Sequence, residues 1–190
     1  MQILNKDEYD LRKQELFSKI RNGAVFIYPT DTIYGLGANA LNHDAVNKIR
    51  EAKARCERPF SIIAPSKEWI LENCEVNERV EEWLEKLPGP YTLILKLKNK
   101  GAVESIVNSG MDTLGVRIPD CWSSEIAKEL NVPIVTTSAN ITGKEFMTSL
   151  ETLDVDVKNK VDFMINEGEI KGKPSTLIDL TKDEVNIKER

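Results

Sequence analysis

Cationic side chains crowd the segment between Lys48 and Arg58. Lys53, Arg55 and Arg58 close this segment, immediately before a predicted apolar strand. Cations near the end of a helix stabilise it by about 0.3–1 kcal/mol each, so a solvated basic face is about as expected as a site. Because the cluster ends where a strand begins, we favour the hypothesis that these three side chains converge on a polyphosphate. Charge-assisted and bidentate hydrogen bonds to phosphate are strong.

Hydroxyls, a carboxylate and glycines follow a predicted buried strand, in the run Pro29-Thr30-Asp31-Thr32-Ile33-Tyr34-Gly35-Leu36-Gly37. Glycines here would let the backbone approach a ligand closely, while a turn selected only for its geometry is the default interpretation. Residues 35–40 also match GxGxxG/A, but not at the strand end and without a ribose-binding acid at the expected spacing. We therefore reject a dinucleotide-binding loop. We also reject a P-loop at residues 168–175, where one residue is missing between the glycines and Pro174 separates lysine from serine.

A further predicted strand carries an arginine. Alternation over residues 113–119 places Thr113, Gly115 and Arg117 on one face and the apolar residues between them on the other. Such a face suits the floor of a site for a small anion, although a solvent-facing arginine is by itself the commoner arrangement.

The strand predicted after residue 133 ends in hydroxyl and amide side chains. If the chain is extended there, Thr136, Ser138 and Asn140 share a face. We do not expect Ser138 to act as a nucleophile, because the single histidine, His43, is remote in sequence and no GxSxG elbow surrounds the serine. A binding role, or a turn that ends the strand, fits better.

Composition limits the function classes. The chain has 190 residues, 41% of them hydrophobic and 30% charged, which predicts a single domain over residues 1–190. A net charge of −5 argues against a protein that coats nucleic acid by overall charge, although a local basic groove stays open. Three dispersed cysteines and one histidine make a zinc site improbable and predict free thiols. Without a signal-peptide core or a long apolar run, we expect a soluble, cytoplasmic protein with no membrane span.

Helices and strands interleave along the chain, which predicts an α/β fold with a mixed sheet. We predict strands at residues 24–28, 60–64, 91–97, 113–118, 133–137, 162–166 and 176–180. Helices are predicted at about 6–21 (capped by Asn5 or Asp7), from a cap at Asp44, and at 66–73, 78–87, 102–107 and 123–130. Residues 29–42 are expected to form a loop. Thr148 and Glu151 stand at capping-box spacing for a further helix.

Taken together, these segments resemble the YrdC-like family of threonylcarbamoyl-adenylate synthases. The matching residues are Pro29 to Gly37, Lys53-Ala54-Arg55, Gly115-Val116-Arg117-Ile118-Pro119, Ser138-Ala139-Asn140 and Pro174-Ser175-Thr176. The resemblance implies a twisted mixed sheet of the YrdC/RibB type with flanking helices around a deep positive groove, in the short form without an extra C-terminal domain. It also implies that L-threonine and bicarbonate form a carbamate, which attacks the α-phosphate of ATP and expels pyrophosphate. That chemistry needs positioning and neutralised phosphate charge, with Mg²⁺ assisting.

Site residues follow from the resemblance by matching position. Threonine and bicarbonate would contact Thr32, Arg117, Thr136 and Ser175, with Arg117 suited to the threonine carboxylate. The nucleotide would lie along Lys53, Arg55, Arg58, Thr113, Ser138, Asn140 and, on a poorer match, Arg190. Within these sets, the catalytic residues would be Lys53, Arg55, Ser138 and Asn140, and no metal ligand is expected. Many members carry a histidine where this chain has Ile63, so one substrate contact is expected to be lost or replaced.

Partners and alternatives also follow. The family implies that the product passes to a tRNA threonylcarbamoyl transferase complex. As an alternative, the same groove would grip double-stranded RNA or tRNA without chemistry, which the net charge makes less expected. A third hypothesis, carbamoyl transfer in hydrogenase maturation, has little support, because this sequence shows no cysteine-rich zinc module.

Overall fold

Ten strands form one sheet in the residues that the computed structural model describes, 1–54, 57–182 and 184–189. They are β1 (Gln2–Leu4), β2 (Phe26–Tyr28), β3 (Gly35–Asn39), β4 (Ser61–Ile63), β5 (Tyr91–Lys96), β6 (Thr113–Arg117), β7 (Ile134–Ser138), β8 (Phe163–Ile165), β9 (Thr176–Asp179) and β10 (Asn186–Lys188). Their order is β1-β8-β2-β3-β7-β4-β6-β5-β9-β10. The pairs β1–β8, β2–β8, β4–β6 and β5–β9 are parallel, and the others are antiparallel. The predicted α/β fold with a mixed sheet is confirmed.

Helices cover this sheet. In the same described ranges they are α1 (Lys6–Leu11), α2 (Lys13–Arg21), α3 (His43–Ala52), α4 (Lys67–Asn73), α5 (Glu78–Leu84), α6 (Glu125–Leu130) and α7 (Val155–Lys158), with 3-10 turns at Trp122–Ser124 and Leu150–Thr152. The helix predicted over residues 6–21 is in fact two, because the backbone leaves the helical region at Arg12, where ψ is 13°. Among the described residues, no helix has the length and apolar character needed to cross a membrane.

The caps of two elements differ from the predicted ones. α3 begins after Asn42, whose backbone is extended and whose Oδ1 atom accepts from Ala45 N at 3.0 Å, so the predicted cap at Asp44 is wrong. The predicted capping box at Thr148 is also off by one residue. Ser149 caps the turn there, and the turn is a 3-10 helix. Both errors place the cap within two residues of its true position, where several cap-forming side chains compete.

The chain between residues 29 and 42, predicted as a loop, contains β3. Its pairing with β2 places Gly35 beside Tyr28 and Gly37 beside Phe26. A Cβ atom on Gly35 would lie 2.8 Å from Tyr28 Cζ, and one on Gly37 would lie 2.7 Å from Tyr28 Cε1. The glycines therefore make room for a ring on the neighbouring strand. Because glycine has low strand propensity, the sequence alone hides this strand.

The helix predicted at residues 102–107 is a series of turns instead. Glu104 N donates to Ala40 O at 2.9 Å, so this backbone bonds to a neighbouring segment rather than to itself. Tertiary hydrogen bonding has overridden a weak helical pattern here.

Buried apolar side chains form one cluster on each face of the sheet. The first packs α3, α4 and α5 against strand residues such as Val116, and the second packs α1, α2 and α6 against residues such as Tyr28. Ser61 pairs with both Gly115 and Thr136, and the apolar neighbours of all three in sequence belong to the first cluster. Since side chains alternate along a strand, these three residues lie on the second face. There, above β4, β6 and β7, the sheet carries a cavity.

Candidate functional site

A cavity of about 530 Å³ lies on the second face of the sheet. Its lining combines side chains of β4, β5, β6, β7 and β9 with the segments after β2 and before β9. Six of the predicted site residues meet in it, namely Thr32, Thr113, Arg117, Thr136, Ser138 and Ser175. The predicted alternation along β6 is confirmed, since Thr113, Gly115 and Arg117 all line the cavity.

Arg117 is the buried cation of this cavity. Its Nη2 atom pairs with Asp31 Oδ1, and the other Asp31 carboxylate oxygen accepts from Asp120 N at 3.0 Å. Its Nη1 atom is 3.4 Å from Thr32 Oγ1, and its Nε atom has no hydrogen-bond partner among the described residues. A buried donor without a partner costs free energy that a ligand oxygen would recover. The arrangement therefore fits a carboxylate bound beside Asp31.

Thr136 is held by a tyrosine beneath it. Tyr28 Oη donates to Thr136 Oγ1 at 2.8 Å, and burial raises the pKa of Tyr28 well above its usual range, so the phenol stays neutral. Because the threonine oxygen accepts this bond, its own hydrogen remains available to a ligand in the cavity.

The segment after β2 is fixed by its own hydroxyls. Thr30 Oγ1 accepts from the backbone N–H groups of Thr32 and Ile33, each at 3.2 Å, and donates to Ile33 O at 2.6 Å. This turn explains why the predicted hydroxyl-rich run lies against the cavity: Thr30 shapes the backbone, and Thr32 is left to face Arg117.

Residues 167–175, here named the strap, close one side of the cavity. Tyr34 Oη donates to Gly168 O at 2.7 Å and accepts from Glu167 N at 3.0 Å. A Cβ atom on Gly172 would lie 1.6 Å from Thr32 O, so the strap crosses directly over the segment after β2. At its end, Ser175 Oγ lies 2.7 Å from Thr92 Oγ1. The segment rejected as a P-loop thus serves as a wall.

Lys53 organises a loop at the end of β7. It is only 2% exposed, and its Nζ atom donates to Ser138 O at 2.6 Å, Asn140 O at 2.7 Å and Asn140 Oδ1 at 3.0 Å. These three bonds anchor the ammonium group to the loop. Ser138 Oγ also donates to Asn140 Oδ1, at 2.6 Å. Ser138 lines the cavity, whereas Lys53 and Asn140 are not among its lining residues. Contact between Lys53 and a phosphate therefore stays a prediction, and in this structure the lysine supports the loop.

The remaining predicted cations lie elsewhere. Arg58 is exposed and stands immediately before Pro59 and Phe60, which line the cavity. Arg55 and Arg190 fall outside the described residues. Among the described lining residues, Arg117 alone carries a charged side chain, and its ion pair with Asp31 neutralises that charge. The deep positive groove implied by the resemblance therefore stays a prediction.

Several residues of the site were missed from the sequence. Asp31, Tyr28 and Tyr34 act through contacts with residues more than 80 positions away, and no local pattern reports such contacts. Ser61 could have been found, because strand alternation places it on the face of Gly115. Ile63, at the position where the resemblance implies a histidine, is 1% exposed and belongs to the second cluster rather than the lining.

Comparison with known proteins agrees with this fold. The model of the Sua5/YciO/YrdC family, described as "Telomere recombination", matches residues 18–190. A protein of Methanocaldococcus jannaschii, provisionally named a threonylcarbamoyl-AMP synthase, is 41% identical over 186 residues, covering 96% of this chain and 86% of that protein. The threonylcarbamoyl-AMP synthase of Pyrococcus abyssi is 39% identical over 171 residues, covering 86% of this chain.

Solved structures also resemble this chain. The crystal structure of P. abyssi Sua5 complexed with L-threonine superposes with a TM-score of 0.87 at 33% identity, covering 98% of this chain and 56% of that one. The chain spans about half the length of the P. abyssi relative, 49% by sequence. The fold, the matched residues and these identities lead to one conclusion: this chain belongs to the Sua5/YciO/YrdC family.

Proposed function

We propose that this chain is a threonylcarbamoyl-AMP synthase, a nucleotidyltransferase that uses ATP, L-threonine and bicarbonate. The names of the M. jannaschii and P. abyssi relatives support it, as does the L-threonine bound to P. abyssi Sua5. The observation that carries the proposal is Arg117, a buried cation in a cavity wall whose Nε atom lacks a partner among the described residues. A small carboxylic acid is the ligand that such a group would bind.

The reaction needs no protein nucleophile. The threonine amine attacks bicarbonate, a C–N bond forms, and water leaves to give the carbamate. A carbamate oxygen then attacks the α-phosphorus of ATP, and the bond to the β-phosphate oxygen breaks as pyrophosphate departs. Holding the two reactants in line and stabilising charge on the phosphates would provide most of the acceleration.

The threonine half of the cavity would use four residues. The Arg117 guanidinium would pair with the carboxylate, while Thr32 and Thr136 offer hydroxyls from the cavity wall. Ser175 brings a further hydroxyl, held in place by its bond to Thr92. The Thr136 hydrogen that Tyr28 leaves available would point to a substrate oxygen.

The nucleotide half would begin at the loop that Lys53 supports. Ser138 lines the cavity there, Thr113 lines it from the start of β6, and Arg58 immediately precedes the lining residues Pro59 and Phe60. Arg55 and Arg190 remain nucleotide-binding predictions from the sequence. No group of three His, Cys, Asp or Glu side chains that could hold a metal occurs in the described ranges. Mg²⁺ would therefore enter with the ATP phosphates, since it is commonly held by substrate phosphates and few protein carboxylates.

The product would be consumed by a tRNA threonylcarbamoyl transferase complex in the cytoplasm. Its mixed anhydride is easily hydrolysed, so rapid transfer to an acceptor would be needed.

The deciding experiment measures pyrophosphate release from MgATP with both co-substrates and with each omitted in turn. We expect release only when threonine and bicarbonate are both present, together with a nucleotide product carrying the threonine and bicarbonate carbons. Release without threonine, or none at all, would contradict the proposal. RNA binding that falls steeply with salt in a chain without turnover would instead support the binding-module alternative.

A further inference from the structure

Arg50 lies in the last turn of α3 with its guanidinium buried. Arg50 is 8% exposed. The nitrogens of its guanidinium contact two separate segments of the chain. Nη1 donates to Arg58 O at 3.2 Å, Nε to Ile106 O at 3.1 Å, and Nη2 to Ser109 Oγ at 3.1 Å. One planar fork therefore ties the segment before β4 to the segment before β6.

The two segments are also bonded to each other. Ser109 Oγ donates to Glu57 O at 2.6 Å, and Phe60 N donates to Val107 O at 2.8 Å. The Phe60 ring lies against the fork, with its centroid 4.7 Å from Arg50 Cζ. Arg50 thus stands at the centre of a contact that fixes one segment relative to the other.

Both segments supply a wall of the cavity. Pro59 and Phe60 line it from the first, and Met111 lines it from the second, which leads into Thr113, the first residue of β6 and also a lining residue. Asn108 Nδ2 fixes the backbone between the second segment and β6, because it donates to Met111 O at 2.6 Å and to Thr113 O at 3.1 Å. A shift of either segment would change the spacing between Arg58 and Thr113, two predicted nucleotide contacts.

Helix termination alone does not account for a buried arginine. A cation that only stabilises a helix end can stay in water, as Lys48 does on the same helix, where it is exposed and donates to Gly23 O at 3.2 Å. Burying a guanidinium is unfavourable unless its donors are satisfied. An apolar side chain would pack against Phe60 without that cost. The arginine is therefore explained by the hydrogen bonds that its guanidinium makes to the two segments.

We propose that Arg50 is a positioning residue for the nucleotide half of the cavity. It holds Arg58 and Thr113 at the separation that one nucleotide needs, and it does not touch the nucleotide itself. The inference rests on the proposed function and adds to it a residue that neither the sequence motifs nor the cavity lining identifies.

The test compares Arg50→Lys and Arg50→Met with Lys48→Met as the matched control. Lysine keeps the charge but cannot bridge the two segments. We expect the KM for ATP to rise about tenfold in Arg50→Lys, as befits lost hydrogen bonds to a charged group, and the KM for threonine to stay within about twofold. Lys48→Met should change neither. Equal rises in both KM values, or an unchanged KM for ATP, would overturn the proposal.

Hydrogen exchange provides a second readout that does not depend on turnover. Amides of residues 57–60 and 106–113 should exchange faster in Arg50→Lys, while those of β2 and β8 keep wild-type rates. If Arg50→Met does not fold, Arg50→Lys still decides the question. A wild-type chain that binds a non-hydrolysable ATP analogue without turnover would refute the proposed function, and the ratio of Kd values for that analogue would still test Arg50. Wild-type exchange rates in both segments of Arg50→Lys would refute the positioning role.

Discussion

Asp31 and Arg117 form an ion pair across 86 residues of sequence, and their side chains are 9% and 7% exposed. The carboxylate occupies one side of the guanidinium and accepts from Asp120 N with its other oxygen. The charge of Arg117 is therefore neutralised, but its hydrogen-bonding capacity is not filled, because Nε is left without a partner among the described residues. A cation held in this way can accept a second carboxylate without first breaking the pair.

Replacing Asp31 should make the protein depend on its ligand. In Asp31→Asn the buried guanidinium loses its counter-charge, which we expect to lower the free energy of unfolding by about 3 kcal/mol. A bound carboxylate would restore part of that charge, so L-threonine should raise the Tm of the variant more than that of the wild type. Thermal unfolding with and without threonine measures both effects.

The control is the exposed pair of Arg12 and Glu15. Glu15→Gln should leave the Tm and its threonine response close to wild type. Equal threonine shifts in Asp31→Asn and in the wild type would show that the ligand carboxylate does not meet Arg117.

Gly172 should be intolerant of a side chain because of its neighbour rather than its own conformation. A Cβ atom there would lie 1.6 Å from Thr32 O, so Gly172→Ala must lift the strap from the cavity. We expect the KM for threonine to rise about tenfold or more, while the Tm falls by only a few degrees, since Ile170 is the strap residue that packs against an apolar cluster, and it is only partly buried. Gly101→Ala is the matched control, because a Cβ atom at Gly101 would lie 3.4 Å from its nearest neighbour, Asn99 Oδ1. A wild-type KM in Gly172→Ala would mean that the strap does not shape the site.

Cys74 should make stability fall in alkali. It is a free, buried thiol, and burial raises its pKa from 9.0 to about 11. The unfolded thiol ionises first as the pH rises, so the stability that this group contributes is present below about pH 9 and is lost between about pH 9 and 11. The loss should be on the order of 2 kcal/mol.

Cys74→Ala isolates this contribution. Buried tyrosines also titrate in alkali, so the useful quantity is the difference in unfolding free energy between wild type and variant, measured by urea titration at several pH values. That difference should narrow as the pH rises above about 9. A constant difference would show that the native thiol ionises as easily as the unfolded one.

The sequence predicts what depends on local periodicity. Alternation along β6 placed Thr113, Gly115 and Arg117 on one face, and all three line the cavity. It could not reveal β3, because the reason for Gly35 is the Tyr28 ring on another strand. The site follows the same rule: its hydroxyls were found by alternation and by family resemblance, while their supports are long-range contacts that leave no local pattern.

Lys53 has one role predicted from the sequence, which is contact with a phosphate, and another indicated by the structure, which is support of the loop after β7. If it supports the loop as its hydrogen bonds indicate, Lys53→Met removes the Nζ donor from Asn140 O and leaves Ser138 O with its backbone bond from Asn140 N. The free energy of unfolding should then fall by about 1–3 kcal/mol even without ligand. Urea unfolding of the unliganded protein measures this, with Lys48→Met as the control for loss of a lysine from the same region. If stability is unchanged and only ATP affinity falls, the ammonium serves the phosphates instead, and its bonds to the loop contribute little. A loss of both stability and ATP affinity would mean that the loop, and Ser138 with it, must be held before the nucleotide can bind.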